Sequence, residues 1–263
     1  MKQLKQLARF KAGDMVLIYL TDDQGAVGME LVPAEMEGEI CSERRYRLDP
    51  MVQLMARGDD FPDGFINGLS MRCAPASYNL HFKGQQKQDT EAGWRVETVL
   101  EDERGLRAVH RVDYCTGDEG VKVFTRLENA GTSPVTLMML TSFSLQSITP
   151  FAPDEATGRL NVYRLRSKWS NEGRLEKRSV EELQLEPTWS KYAPRSENLA
   201  NAVPCRFGDT SLWLGWRINR AGCAGRPSWA APAPGKWKST AGTTPCPCRA
   251  DWRMKILDIG AKP

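Results

Sequence analysis

Four groups of neighbouring carboxylates are the first residues whose types could do chemistry: Asp22-Asp23, Asp59-Asp60, Glu101-Asp102-Glu103 and Glu181-Glu182. General acid–base work needs two carboxyls that face one bond together. Sequence neighbours on a strand point to opposite faces. The first three groups also lie beside Gly or Pro, where a short acidic side chain caps a turn. Turn capping is therefore the expected role. His81 and His110 sit inside strand-like segments, with no second His or carboxylate pair at ligand spacing, so strand-face packing is expected of them. Cys246 and Cys248 form a CPC, but closed zinc coordination needs four ligands. Cys205 and Cys223 are scattered and no His follows residue 203. No metal or other cofactor is expected. There is no phosphate-binding loop, dinucleotide fingerprint, HExxH or GxSxG. Trp169 is different in kind: in RSKWSNEGRLEKR a large aromatic lies among charges in a segment of low strand character. An aromatic on a polar loop suits stacking on a sugar face, and a partly buried structural Trp is the plainer alternative.

The elements that must hold these residues read as β-strands. From Met15 to about Leu185, short apolar stretches are punctuated by Gly, Pro and Asp, with little sustained helical periodicity. Strand-like runs occur at 15–20, 26–32, 51–56, 78–82, 94–100 and 106–114. In 119–145, Val121, Val123, Thr125 and Leu127 alternate, NAG at 129–131 turns the chain, and a second apolar run follows, which predicts a hairpin with a slightly long loop. VEELQL at 180–185 has helical character but is too short to establish a helix. The expectation is an all-β, antiparallel sandwich or barrel.

At 263 residues, 41% apolar and 26% charged, the chain has the length and composition for a sizeable core. No apolar run is long enough to span a bilayer, and the amino terminus has only a short apolar stretch after its basic residues. No membrane association is expected. Seven Cys without a regular framework fit a reducing compartment, so the expected location is the cytoplasm. The net charge of +3 hides a division. Up to Ala202 there are 26 Lys and Arg against 30 Asp and Glu, a net of −4; from Val203 onward the count is 10 against 3, a net of +7. Residues 203–263 hold no Glu and no Tyr, yet carry five of the eight Trp, four of the seven Cys and seven of the sixteen Pro. Their Lys and Arg form no stripe with aromatics and match no nucleic-acid module, so no nucleic-acid partner is expected. Disordered arms are depleted in Trp and Cys, so the segment fits no ordinary class.

Three stretches carry a resemblance: RGDDFPDGFINGLSMR, then TRLENAGTSPVTLMMLTSFSLQSITPF, then NVYRLRSKWSNEGRLEKRSVEELQLEPTW. Together they resemble the N-terminal region of bacterial α-galactosidases of glycoside hydrolase family 36, and the likeness runs from about Met15 to Asn201. It implies an antiparallel β-supersandwich over residues 1–202. In the family a catalytic (β/α)8 barrel follows and hydrolyses terminal α-galactosides such as melibiose or raffinose with retention. The barrel is expected to be absent here. Its two catalytic Asp have no counterpart in this chain, so the resemblance assigns no catalytic residue and an inactive chain. The α-galactoside is the parent enzyme's ligand, and homo-oligomers occur in the family. Trp169 best matches a loop Trp that, in tetrameric members, helps to close a neighbouring subunit's sugar pocket.

Past Asn201 the family pattern stops in frame. It returns when residues 203–263 are written as codons and each new codon begins at the third base of the old one. VPCRFGDTSLWLGWR can then give AMPVRGYFPLAGVE, the next residues can give DKPGRLRWAAQL, and PCPCRADWRMKILDIGAK can give LSGGLADEDFGHWGK. Some choices are forced: Asp251-Trp252 must give Leu and Met254-Lys255 must give Glu. Three family motifs come back in order. We therefore read 203–263 as an out-of-frame, poorly ordered tail, produced by a one-base deletion or its equivalent near codons 200–203. This accounts for the missing Glu and the excess of Trp and Cys. Two other readings stay open: a stand-alone β-sandwich that binds carbohydrate or serves assembly, and a basic-tailed interaction protein.

Overall fold

The structure is a computed structural model. It describes residues 4–41, 48–58, 75–118, 120–145, 150–151, 157–168 and 171–185, together with three later strands at 213–218, 228–232 and 255–258. Fourteen strands are described: β1 (Lys5–Ala12), β2 (Met15–Thr21), β3 (Val27–Pro33), β4 (Leu54–Ala56), β5 (His81–Thr90), β6 (Gly93–Glu101), β7 (Leu106–Cys115), β8 (Gly120–Asn129), β9 (Leu137–Leu140), β10 (Leu160–Lys168), β11 (Asn171–Ser179), β12 (Trp213–Ile218), β13 (Ser228–Pro232) and β14 (Lys255–Asp258). Among the described residues, a 3-10 turn at Ala34–Glu39 and a four-residue α-turn at Pro75–Tyr78 are the only helical segments. The fold is all-β and antiparallel, as the sequence predicts.

The chain divides into two compact units, residues 1–154 with 258–263, and residues 155–257. In the first, β1, β2 and β3 form an antiparallel meander. Every residue of β3, and all of β2 but its last, is buried. A strand covered on both faces has no need to alternate, which is why MVLIYL reads as a continuous apolar run. A second meander places β8, β7, β6 and β5 side by side. Here alternation is clear: Trp94, Val96, Thr98 and Leu100 of β6, and Leu106, Ala108, His110, Val112 and Tyr114 of β7, are buried, while most of the intervening residues are not.

Trp94 joins the two meanders. Its ring lies 5.8 Å from that of Phe10 and 5.6 Å from that of Tyr114, and its indole N–H donates to the Lys11 carbonyl at 2.8 Å. Phe10 in turn meets Tyr19 edge-on at 5.8 Å. The opposite face of the second meander is partly solvated. There Asp113 accepts from Arg95 at 2.8 Å and from Arg111, whose guanidinium stacks 5.3 Å above Phe124. Burial pushes the Asp113 carboxyl up, but the two arginines outweigh it and hold it below the ordinary range.

Three expectations are corrected. First, β8 and β9 do not pair with each other as the expected 119–145 hairpin: β8 pairs with β7, and β9 pairs with β4. The NAG turn is committed elsewhere. Gly131 lies so close to the preceding turn that a Cβ there would stand 2.1 Å from the Arg104 carbonyl oxygen, and Ala130 N–H donates to the Gly105 carbonyl at 2.9 Å. That contact turns the chain toward the turn between β6 and β7. Second, residues 180–185 form turns. Ser179 and Glu182 exchange hydrogen bonds at 2.7 and 3.0 Å, as in a capping box, but no helix follows. Third, RSKWSNEGRLEKR has more strand character than its charges suggest, because its arms belong to β10 and β11.

In the second unit the strand order is β11, β10, β12, β13, all antiparallel. Arg164 of β10 is 5% exposed and donates to Glu176 of β11 at 3.0 Å, and Arg178 reaches the other Glu176 oxygen at 3.2 Å. Strands β12 to β14 lie within 203–263. The other residues of that segment, and the boundary at 202, lie outside the described residues.

Candidate functional site

The sequence offered carboxylate pairs, two histidines, the cysteines and Trp169. Asp22 and Asp102 occupy equivalent places in two turns of the form D-x-x-G. Asp22 Oδ1 accepts from the backbone N–H of Gln24 at 2.9 Å and Ala26 at 3.1 Å. Asp102 Oδ1 accepts from Arg104 at 2.9 Å and Leu106 at 2.8 Å. In each turn the fourth residue, Gly25 or Gly105, has a left-handed φ of 83° or 86°, where a side chain would be strained. Both carboxylates are therefore occupied as caps. Glu181 accepts from Gly158 N–H at 2.8 Å, which lowers its pKa below the usual carboxylate range. Asp59 and Asp60 lie outside the described residues. None of the described groups brings two carboxyls to a common open space with one kept protonated.

This sets an expected outcome. Asp102→Ala leaves the Arg104 and Leu106 amides short of an acceptor at a site where the aspartate is 5% exposed, which costs about 1–3 kcal/mol. Asp102→Asn retains an acceptor oxygen and loses less. Urea midpoints measured side by side give the order wild type, Asn, Ala. An Ala variant as stable as wild type would show that the carboxylate is not a cap.

The histidines part company. His81 opens β5 next to Gly25 and is half-buried. His110 is completely buried on β7. Both lie on strands, as expected. The described residues hold no group of three or more His, Cys, Asp or Glu that could bind a metal ion. Cys115 is a free thiol. Cys205, Cys223, Cys246, Cys248 and Trp169 lie outside the described residues. Lys168 and Asn171, the residues flanking Trp169 and Ser170, are paired across β10 and β11.

One feature escapes a search for catalytic motifs: a polar row through the interior of the first unit. Gln85 stands opposite Thr98, Thr98 opposite His110, and His110 opposite Thr125. A signal was present, because Thr98 and His110 fall on the inward parity of their strands. Set against family models, curated proteins and solved structures, the chain matches none of them.

Proposed function

We propose that this chain is the N-terminal, non-catalytic β-sandwich region of an α-galactosidase-like glycoside hydrolase, carried in a gene whose reading frame is shifted near codon 202. The parent reaction is retaining hydrolysis of terminal α-galactosides, and the polypeptide alone is inactive. The observation that carries this reading is the family pattern from Met15 to Asn201, resumed in order in the other frame beyond it. The all-β antiparallel architecture supports it. So does the capping role of Asp22 and Asp102, which leaves those acids to structure. A free Cys115 fits a reducing, cytoplasmic setting.

The test is the nucleotide sequence across codons 195–210 and beyond. An open downstream frame encoding the recovered motifs and a (β/α)8 repeat is expected. A gene with no such frame would sink the proposal. Trp169, an aromatic among the charges of RSKWSNEGRLEKR, favours a second reading, a stand-alone carbohydrate-binding module. That reading requires the isolated chain to bind a galactoside and Trp169→Ala to abolish the binding.

A further inference from the structure

Among the described residues, a polar line crosses the inward face of the β5–β8 meander. Gln85, Thr98, His110 and Thr125 cross the sheet in register, one from each strand. Gln85 Nε2 donates to Thr98 Oγ1 at 2.8 Å, and Thr125 Oγ1 donates to the Ser142 carbonyl at 2.7 Å. Between them His110 is 0% exposed, and neither of its ring nitrogens has a hydrogen-bond partner. Across the gap, Tyr19 of β2 is also fully buried. Its hydroxyl lies near that of Thr98 without reaching hydrogen-bond geometry.

Among the described side chains of β6, β7 and β8, none puts a counter-charge on the face of His110. Its own strand presents Ala108 and Val112 on that face, and β6 and β8 present Thr98 and Thr125. From the other meander come Phe10, Leu17 and Tyr19, and burial raises the Tyr19 phenol far above its ordinary pKa, so it stays neutral. Arg95, Glu97, Arg111, Asp113, Lys122 and Arg126 alternate with the inward residues and lie on the outer face. Glu30 is buried, but it is the neighbour of Met29, which pairs with Tyr19, and so lies on the opposite face of its strand. Lys87 and Asp89 share the parity of Gln85, but they are exposed at the sheet edge and pair with each other. Lys5 is exposed at the start of β1.

We propose that the two meanders form an acid-sensitive latch: joined, they deny His110 a proton, and parted, they admit it, so that acid draws them apart. Burial pushes the His110 imidazole down to about 3, from a value near 6.5 in the unfolded chain. The sign follows. Above about pH 6.5 neither state holds the proton and stability is complete; below it, the unfolded chain takes up a proton that the folded chain refuses. Each pH unit of descent toward 3 multiplies the unfolding constant about tenfold.

The experiment is urea unfolding of the full chain between pH 7.5 and 4.5, for wild type, His110→Gln and His110→Leu, with NMR titration of the wild-type His110 ring. The wild-type unfolding constant is expected to rise about a hundredfold more than that of either variant between pH 7.5 and 4.5. The ring resonances should remain those of the neutral form throughout that range. Variants with the wild-type pH slope would overturn the proposal. So would a native ring that titrates near pH 6.5, a result that needs no variant to fold.

Discussion

The purified 263-residue chain is expected to leave an aryl α-galactoside intact, whereas inserting one base near codon 202 of its gene is expected to yield a retaining α-galactosidase. Retention requires two carboxyl groups roughly 5–5.5 Å apart, one ionised as nucleophile and the other protonated as acid. An acid of this kind is made by burial without a cationic partner. Several described carboxylates are instead committed to donors. Asp22 and Asp102 accept two backbone amides each. Glu176 lies between Arg164 and Arg178, and Asp113 between Arg95 and Arg111. The pKa values of Asp113, Glu37 and Glu181 are displaced downward. These last three, held as anions by their partners, cannot donate the proton a leaving alkoxide needs. The gain on restoring the frame is therefore that of an enzyme over no enzyme, at least about six orders of magnitude in rate. Release of the aryl alcohol measures it, and NMR of the first sugar anomer formed reports the stereochemistry. Turnover by the unrestored chain would refute the assignment. So would a restored product that folds and does nothing.

The second large effect belongs to Trp94. Trp94→Ala is expected to cost about 3–5 kcal/mol, a large share of the stability of a domain that has about 5–15 kcal/mol in all. Trp94 is 8% exposed, it holds Phe10 and Tyr114 on either side, and its N–H bonds the Lys11 carbonyl. Truncation therefore removes the largest side chain at the junction of the two meanders and leaves the Lys11 carbonyl without that donor. Trp94→Phe keeps much of the volume and gives up the hydrogen bond, so it should fall between the two. Urea midpoints followed by circular dichroism measure the series. A loss below 1 kcal/mol for Ala would mean that the meanders are held together elsewhere.

Much of the first unit could be read in the residues. The apolar run at Met15 and the alternations in β6 and β7 are period signals that burial on two faces or one must produce. The acidic turns could be read from the spacing of Asp to Gly. What was hidden has a physical reason in each case. β1, KQLARFKA, is an edge strand with most side chains in water, so its composition is that of a loop. β10 and β11 satisfy their charges across the ladder, Arg164 with Glu176, and a strand stabilised in that way carries no apolar signature. The pairing of β4 with β9 joins residues more than eighty positions apart, which no local pattern specifies. The site was less legible than the fold. Carboxylates could be assigned to turns from their neighbours, but the uncompensated setting of His110 depends on what the opposite meander fails to present.

If the frame is shifted as proposed, the β10–β12 ladder has a consequence for the gene product. Leu160 to Arg164 bond, residue for residue, with Leu214 to Ile218, and β13 adds to β12 in turn. Main-chain amides and carbonyls are the same in every register of translation, so an open rim captures any extended peptide offered to it. If 203–263 is mistranslated, the ribosome has supplied a counterfeit strand, and the rim accepts it. Such a surrogate hides the gap from water while contributing nothing selected to what lies beneath. Cells making this product would then accumulate a polypeptide that passes for finished at its border, escapes early disposal, and exchanges its stopgap for a neighbouring molecule's rim as concentration climbs.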